Sequence, residues 1–134
     1  MTGDGDSDLE VIRELYDATN ARDWDRAIAL YAADIRMEIP EGLIDSGVFE
    51  GVEEVTGWYS RWFSSFDGAT RFENLELAQL EDGRIRARAD HHARGRSSGI
   101  EVTQEVVWMY RVAGGRITEM VGYNPSAQGF DTGD

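Results

Sequence analysis

The chain has 134 residues, with 26 acidic against 13 basic side chains, a net charge of −13 and no cysteine. The missing thiols exclude disulfides, cysteine nucleophiles and cysteine-bound metals, and a surface this acidic repels phosphate backbones, so no nucleic acid is expected as a partner. No apolar run is long enough to span a bilayer and no leader pattern stands out, so a cytoplasmic protein without membrane attachment is expected.

The length suits a single domain over residues 1–134, ordered over about 8–125 with loose termini. "MTGDGDSD" reads as a frayed start. Ser7 and Glu10 have capping-box spacing, and Leu9, Ile12, Leu15, Tyr16 and Thr19 recur at helical spacing, which predicts a first helix over about 8–20. Asp23 is placed to cap a second helix with Trp24, Ala27, Ile28, Tyr31 and Ile35 on its apolar side. "IRMEIP" reads as a short strand ended by Pro40, and "EGLIDSGVFEG" as a loop. A third helix begins near Gly51, with Val52, Val55, Tyr59, Trp62, Phe63 and Phe66 on one wide apolar face. Gly57 interrupts it at a cost of about 1 kcal/mol relative to alanine, which marks either a close approach by another group or a tolerated defect.

The period then changes to two. "TRFENLELAQL", "RIRARADHHARG", "IEVTQEVVWMYRV" and "RITEMVGY" read as strands joined by tight turns, and so as an antiparallel meander. The tail "NPSAQGFDTGD" reads as loose. The fold class is α+β, with helices packed on one face of a curved, mostly antiparallel sheet. Strand alternation puts Ile85, Ala87, Ala89, His91 and Ala93 on one side, and Arg86, Arg88, Asp90 and His92 on the other. His91 and His92, the two histidines of the chain, therefore diverge. The row of small alanines beneath an aromatic-rich helix predicts a cavity. Val107 and Met109 fall on the outer, charged side, where they would be exposed unless covered by a second copy. The last strand is ambiguous by pattern.

Three stretches in order, "LYDATNARDWDRAIALYAADIRMEIP", "FEGVEEVTGWYSRWFSSF" and "VVWMYRVAGGRITEMVGY", resemble the nuclear transport factor 2-like superfamily. The resemblance is to its SnoaL-like polyketide cyclase, ketosteroid isomerase and limonene-epoxide hydrolase branches, over about residues 8–125. It implies a cone in which three N-terminal helices pack on the concave face of the sheet around a pocket for a small hydrophobic molecule. It also implies a homodimer through the convex face. The catalytic sets of those branches are not reproduced. The steroid isomerases' aspartate base falls on Ile39, beside Glu38, and their second acid on Trp108. Their first-helix tyrosine falls near Leu15, next to Tyr16, while two supporting tyrosines match Tyr31 and Tyr59. The epoxide hydrolases' arginine and aspartate fall on Ala89 and His91, their last-strand aspartate on Gly122, and their tyrosine and asparagine on Arg36 and Glu38. The aspartate of the SnoaL-type cyclases has no counterpart between Gly122 and Pro125.

The candidate catalytic pair is His91, which can exchange a proton near neutrality, with Glu38 orienting it or acting as a base. The alternatives are a core histidine bonded to a neighbour and a surface ion pair between Arg36 and Glu38. Gln104 either holds a substrate oxygen or bonds to the sheet or to His91. Tyr16, Tyr31, Tyr59 and Trp62 are the expected substrate-binding walls. Phe63, Trp108 and Met120 join them, with Arg36 at the polar end and core packing as the alternative for each apolar residue. Divergent histidines cannot form a zinc site with one carboxylate. No phosphate loop or dinucleotide fingerprint appears, so no metal and no cofactor are expected. The reading is a cofactor-free acid–base enzyme acting on a hydrophobic, oxygenated, polyketide- or terpenoid-like substrate. Isomerisation, cyclisation, dehydration and epoxide opening all fit. The alternative is a small-ligand binder or dimeric scaffold of the same fold that performs no chemistry.

Overall fold

Alternating apolar positions build most of the sheet. The computed structural model describes residues 3–40, 46–64, 70–95 and 97–123. Two helices, α1 (Gly3–Asn20) and α2 (Trp24–Ile28), precede β1 (Tyr31–Ile39) and β2 (Gly47–Glu50). Helix α3 (Val52–Phe63) follows, then β3 (Arg71–Gln79), β4 (Ile85–Arg94), β5 (Glu101–Ala113) and β6 (Arg116–Tyr123). The six strands form one curved, unclosed sheet in the order β2-β1-β6-β5-β4-β3. Strands β3 to β6 are the expected antiparallel meander. Strand β1 runs parallel to β6, and β2 returns antiparallel along its outer edge.

Several boundaries differ from the sequence reading. Helix α1 starts at Gly3, so Ser7 lies inside it and caps nothing. Asp23 does cap α2, accepting a hydrogen bond from the Arg26 backbone N–H at 3.3 Å, but that helix has only 5 residues. Tyr31 and Ile35 lie on β1 instead. A spacing of four keeps two residues on one side of either a helix or a strand, so pattern alone cannot separate the two. The segment read as a loop contains β2, which is too short to show a period. Its residues 41–45, and Phe66, lie outside the described residues.

Helix α1 packs against β3 and β5, and α3 against β1 and β2. The interior holds Ile12, Ile35, Met37, Ile85, Ile117 and Met120, all fully buried. The Asn20 amide closes the free edge of β3 by donating to the Phe72 carbonyl at 2.9 Å and accepting from the Phe72 N–H at 2.8 Å. It thereby imitates a neighbouring strand at an edge that would otherwise be open.

The two faces of β4 separate as predicted. Ile85, Ala87, Ala89, His91 and Ala93 are buried, whereas Arg86, Arg88, Asp90 and His92 are half-buried. His92 bonds to Thr103 and lies 3.1 Å from Glu73 on the charged face. The same face corrects the expectation for Val107 and Met109, which are only 1% and 9% exposed in the single chain. Their cross-strand neighbours are Arg88 and Arg86, whose long stems can shield apolar side chains while the charged heads stay in water. Exposure of these two residues therefore gives no reason for two copies to pair.

Candidate functional site

The helices and the sheet leave a cavity of about 620 Å³ between them. Its walls follow from the two periods. On α1, Leu15, Tyr16 and Thr19 share a face, and on α3 Glu53, Thr56, Gly57, Ser60 and Phe63 form a stripe three or four residues apart. Trp24, Ala27 and Ile28 of α2 and Tyr31 at the start of β1 close another side. Tyr59, Phe72 and the alternate β5 residues Trp108 and Tyr110 complete it.

Four tyrosines carry the polar chemistry. The Tyr16 and Tyr110 hydroxyls are 3.0 Å apart and hydrogen-bonded. Burial pushes Tyr16 up to about 12, although the bond from Tyr110 offsets part of the rise. Burial also raises Tyr31, Tyr59 and Tyr110 well above the ordinary phenol value. Repulsion within the group adds to each: Tyr16 raises Tyr31, while Tyr16 and Tyr31 raise both Tyr59 and Tyr110. The four hydroxyls are thus close enough to feel one another, and they stay neutral at physiological pH. Neutral phenols donate and accept hydrogen bonds but do not act as bases. Among the described lining residues the one charged side chain is Glu53, exposed in the first turn of α3. All 13 basic residues of the chain are arginines, so it holds no lysine amine to act as a nucleophile.

Five of the expected wall residues line this cavity: Tyr16, Tyr31, Tyr59, Phe63 and Trp108. Met120 does not, being fully buried in the core. Trp62 also lies outside the lining and stacks on His91 with ring centroids 4.7 Å apart. Gln104 is exposed, and its Nε2 lies 3.1 Å from Nδ1 of His91. This matches the alternative in which Gln104 bonds to the histidine.

His91 itself is fully buried between Trp62 and Phe72, the latter at 5.0 Å, and is not part of the described lining. Burial, helped by the nearby His92, pushes its pKa down to about 4, so it is neutral at pH 7. Glu38 and Arg36 lie on the other side of the sheet. Ile35, Met37 and Ile39 turn inward on β1, which forces the two charged residues between them outward. There Arg36 Nη1 lies 3.5 Å from Glu38 and 3.7 Å from Glu119. The structure therefore separates Glu38 from His91 by the thickness of the sheet. The alternation of Ile35, Met37 and Ile39 with Arg36 and Glu38 is the signal that would have shown this.

The alanine row does not line the cavity either. Ala87 and Ala89 belong to the packed core, against which aromatic side chains from α3, β3 and β5 also pack. Sequence reasoning passed over Thr19, Trp24, Thr56, Ser60, Phe72 and Tyr110 as walls. Tyr110 was legible as an inward residue two along from Trp108. The hydroxyl residues of α3 carry no apolar signal and emerge only once the helix is placed. Trp58 is 6% exposed in the core, and its indole N–H has no hydrogen-bond partner among the described residues.

Gly122 shows why an acid at this position of β6 would not fit. A Cβ there would sit 3.1 and 3.2 Å from the Trp108 ring and 3.5 Å from Ile39 Cδ1. Trp108 thus occupies the space a side chain would need. Gly122→Ala is expected to cost about 1–3 kcal/mol by overpacking and to shift tryptophan emission as the Trp108 ring moves. Urea unfolding and fluorescence spectra check this, and unchanged values for both would mean the ring yields freely.

Among the described residues, no group of three histidine or acidic side chains is placed to hold a metal ion, and no helix is long and apolar enough to cross a membrane. Among proteins of known sequence, the chain is 26% identical over 115 residues to the uncharacterized protein Rv0034 of Mycobacterium tuberculosis, covering 86% of each. Among solved structures it resembles Bal32a from a soil-derived mobile gene cassette, at 18% identity and a TM-score of 0.78 over 92% of this chain and 95% of that one. It also resembles a candidate polyketide cyclase of Xanthomonas campestris, at 18% identity and TM-score 0.77 over 90% and 93%. TerC, co-crystallized with polyporic acid, matches at 18% identity and TM-score 0.77 over 91% and 94%. At these identities the likeness is one of fold. Residues 12–120 match the SnoaL-like domain family itself, and the chain belongs to that family.

Proposed function

We propose that the cavity takes an uncharged, hydrophobic, oxygenated small molecule and holds its oxygen on the tyrosine hydroxyls. The observation that carries this is the meeting of four neutral phenols in a cavity of about 620 Å³ whose other described walls are mostly apolar. That volume suits a two- or three-ring ligand. The described lining holds no cation to offset a carboxylate, and a buried anion without a partner is costly.

In the catalytic form of this reading, a ligand carbonyl accepts a hydrogen bond from the Tyr16–Tyr110 pair. The pair then stabilises the negative charge that develops on that oxygen when the adjacent carbon loses its proton. Glu53 is the one described lining residue able to take that proton. An isomerisation or cyclisation of a polyketide-like compound would follow from such an enolate. A fold neighbour assigned as a candidate polyketide cyclase supports the choice of ligand class. The placement of His91 and Glu38 outside the cavity favours a second reading, binding without turnover.

The test uses prodan, an uncharged naphthyl ketone whose emission reports its surroundings. Wild-type protein is expected to bind it with a blue shift and to bind naphthoate, an anion of similar shape, at least tenfold more weakly. Tyr16→Phe and Tyr110→Phe should each weaken prodan binding about tenfold, the value of roughly one hydrogen bond. Failure to bind either probe, or phenylalanine variants that bind as the wild type does, would remove the reading. Exchange of the methyl protons of naphthyl methyl ketone in heavy water then separates the two forms. Protein-dependent exchange supports catalysis, and binding without exchange supports the binder.

A further inference from the structure

Gly57 sits in the middle of α3, a position where glycine weakens the helix, and it lines the cavity. Nothing among the described residues demands it. Its backbone is ordinary helix, absent from the positive-φ glycines. Among the described residues, a Cβ built there would meet only Nη1 of Arg61, at 3.6 Å, which is ordinary contact with the end of a flexible side chain. Gly57 contrasts with Gly122, where Trp108 fills the space. On the same stripe, Thr56 and Ser60 are small, whereas Tyr59 and Phe63 beside them are large. The helix is therefore left bare at one place, on the side that faces empty volume.

We infer that Gly57 is a specificity-determining residue that leaves the α3 backbone open so that the flat face of a ligand can lie against it. A glycine retained at a cost to the helix, with room for a side chain, has its reason in what occupies the cavity. Any side chain there would project into the ligand volume. The inference rests on the small-molecule reading above and adds where the ligand lies and what limits its width.

The test is a size series at this one position. Gly57→Ala and Gly57→Leu place good helix formers in α3. Gly57→Ala is expected to raise the Tm by about 3–5 °C for a chain of this length. The same substitution should weaken prodan binding at least tenfold, and Gly57→Leu should abolish it. Naphthyl methyl ketone, which lacks the second substituent of prodan, should lose less affinity in both variants. A structural role would move stability and binding in the same direction, whereas opposite movements support the inference. Alanine and leucine variants that bind prodan as tightly as the wild type overturn it while leaving the tyrosine reading intact. A lower Tm for Gly57→Ala also overturns it, because the glycine would then serve the fold. Wild-type protein that binds neither probe overturns both readings.

Discussion

Above pH 10 the protein is expected to unfold as its cavity tyrosines ionise. Their folded pKa values are raised, so each contributes stability that is complete below the unfolded phenol value of about 10 and is lost as pH rises. For Tyr16, held up at about 12, the loss is about 2 kcal/mol by pH 12. Tyr31, Tyr59 and Tyr110 act in the same direction and are raised by the same burial. A domain stability of about 5–15 kcal/mol is small enough for such losses, all of one sign, to drive unfolding. Phenolate absorbance and far-ultraviolet circular dichroism, followed together against pH, check this. Most of the phenolate should appear in the same transition that removes the ellipticity. Tyr59→Phe should move that transition to higher pH. Phenolate that forms on a chain with intact ellipticity would show that water reaches the hydroxyls freely, and the neutral donor set would be lost as an explanation of the site.

Acid acts through His91. Its folded pKa of about 4 lies below the ordinary histidine value of about 6.5, so between those values the unfolded chain binds a proton that the folded chain does not. Stability is therefore complete above pH 6.5, falls as pH drops from 6.5 to 4, and loses about 3 kcal/mol over that window. Other groups fall in acid too. Glu14 and Asp82 are held below the ordinary carboxyl range, Glu14 chiefly by its bond from Arg26 and Asp82 by the Arg84 backbone N–H. The comparison that isolates the histidine is His91→Leu, which keeps an apolar filler between Trp62 and Phe72. Gln104 is exposed and can turn to water, so the variant should cost little at pH 7. At pH 4.5 it should be the more stable of the two. Urea unfolding at both pH values measures the difference, and parallel pH profiles for the two proteins would mean that His91 charges without penalty. A neutral, enclosed imidazole between Trp62 and Phe72 acts as a packing element.

The sequence by itself determined the four-strand meander and the direction of the side chains on β4. "RIRARADHHARG" alternates small apolar with charged residues, and water on one side leaves a single choice of face, so His91 turned in and His92 out. The long, period-two runs fixed the four-strand meander for the same reason. It also determined the neutrality of the site in part, since it offers no lysine or cysteine.

Tertiary structure decided the rest. Tyr31 and Ile35 became strand residues because β1 finds a parallel partner in β6, more than eighty residues away, and no local pattern registers such a partner. Glu38 was lost to the site because β1 runs back to Tyr31, which sets Ile35, Met37 and Ile39 on its inner side and leaves Arg36 and Glu38 facing out. The alanines of β4 suggested empty space, yet Ala87 and Ala89 are packed into the core, and the open volume lies between the helices and the sheet away from them. A cavity is the difference between what several elements could fill and what they do fill. Each element's own residues state the first term only in part, and the distances between elements, which set the second, exist only once the chain has packed.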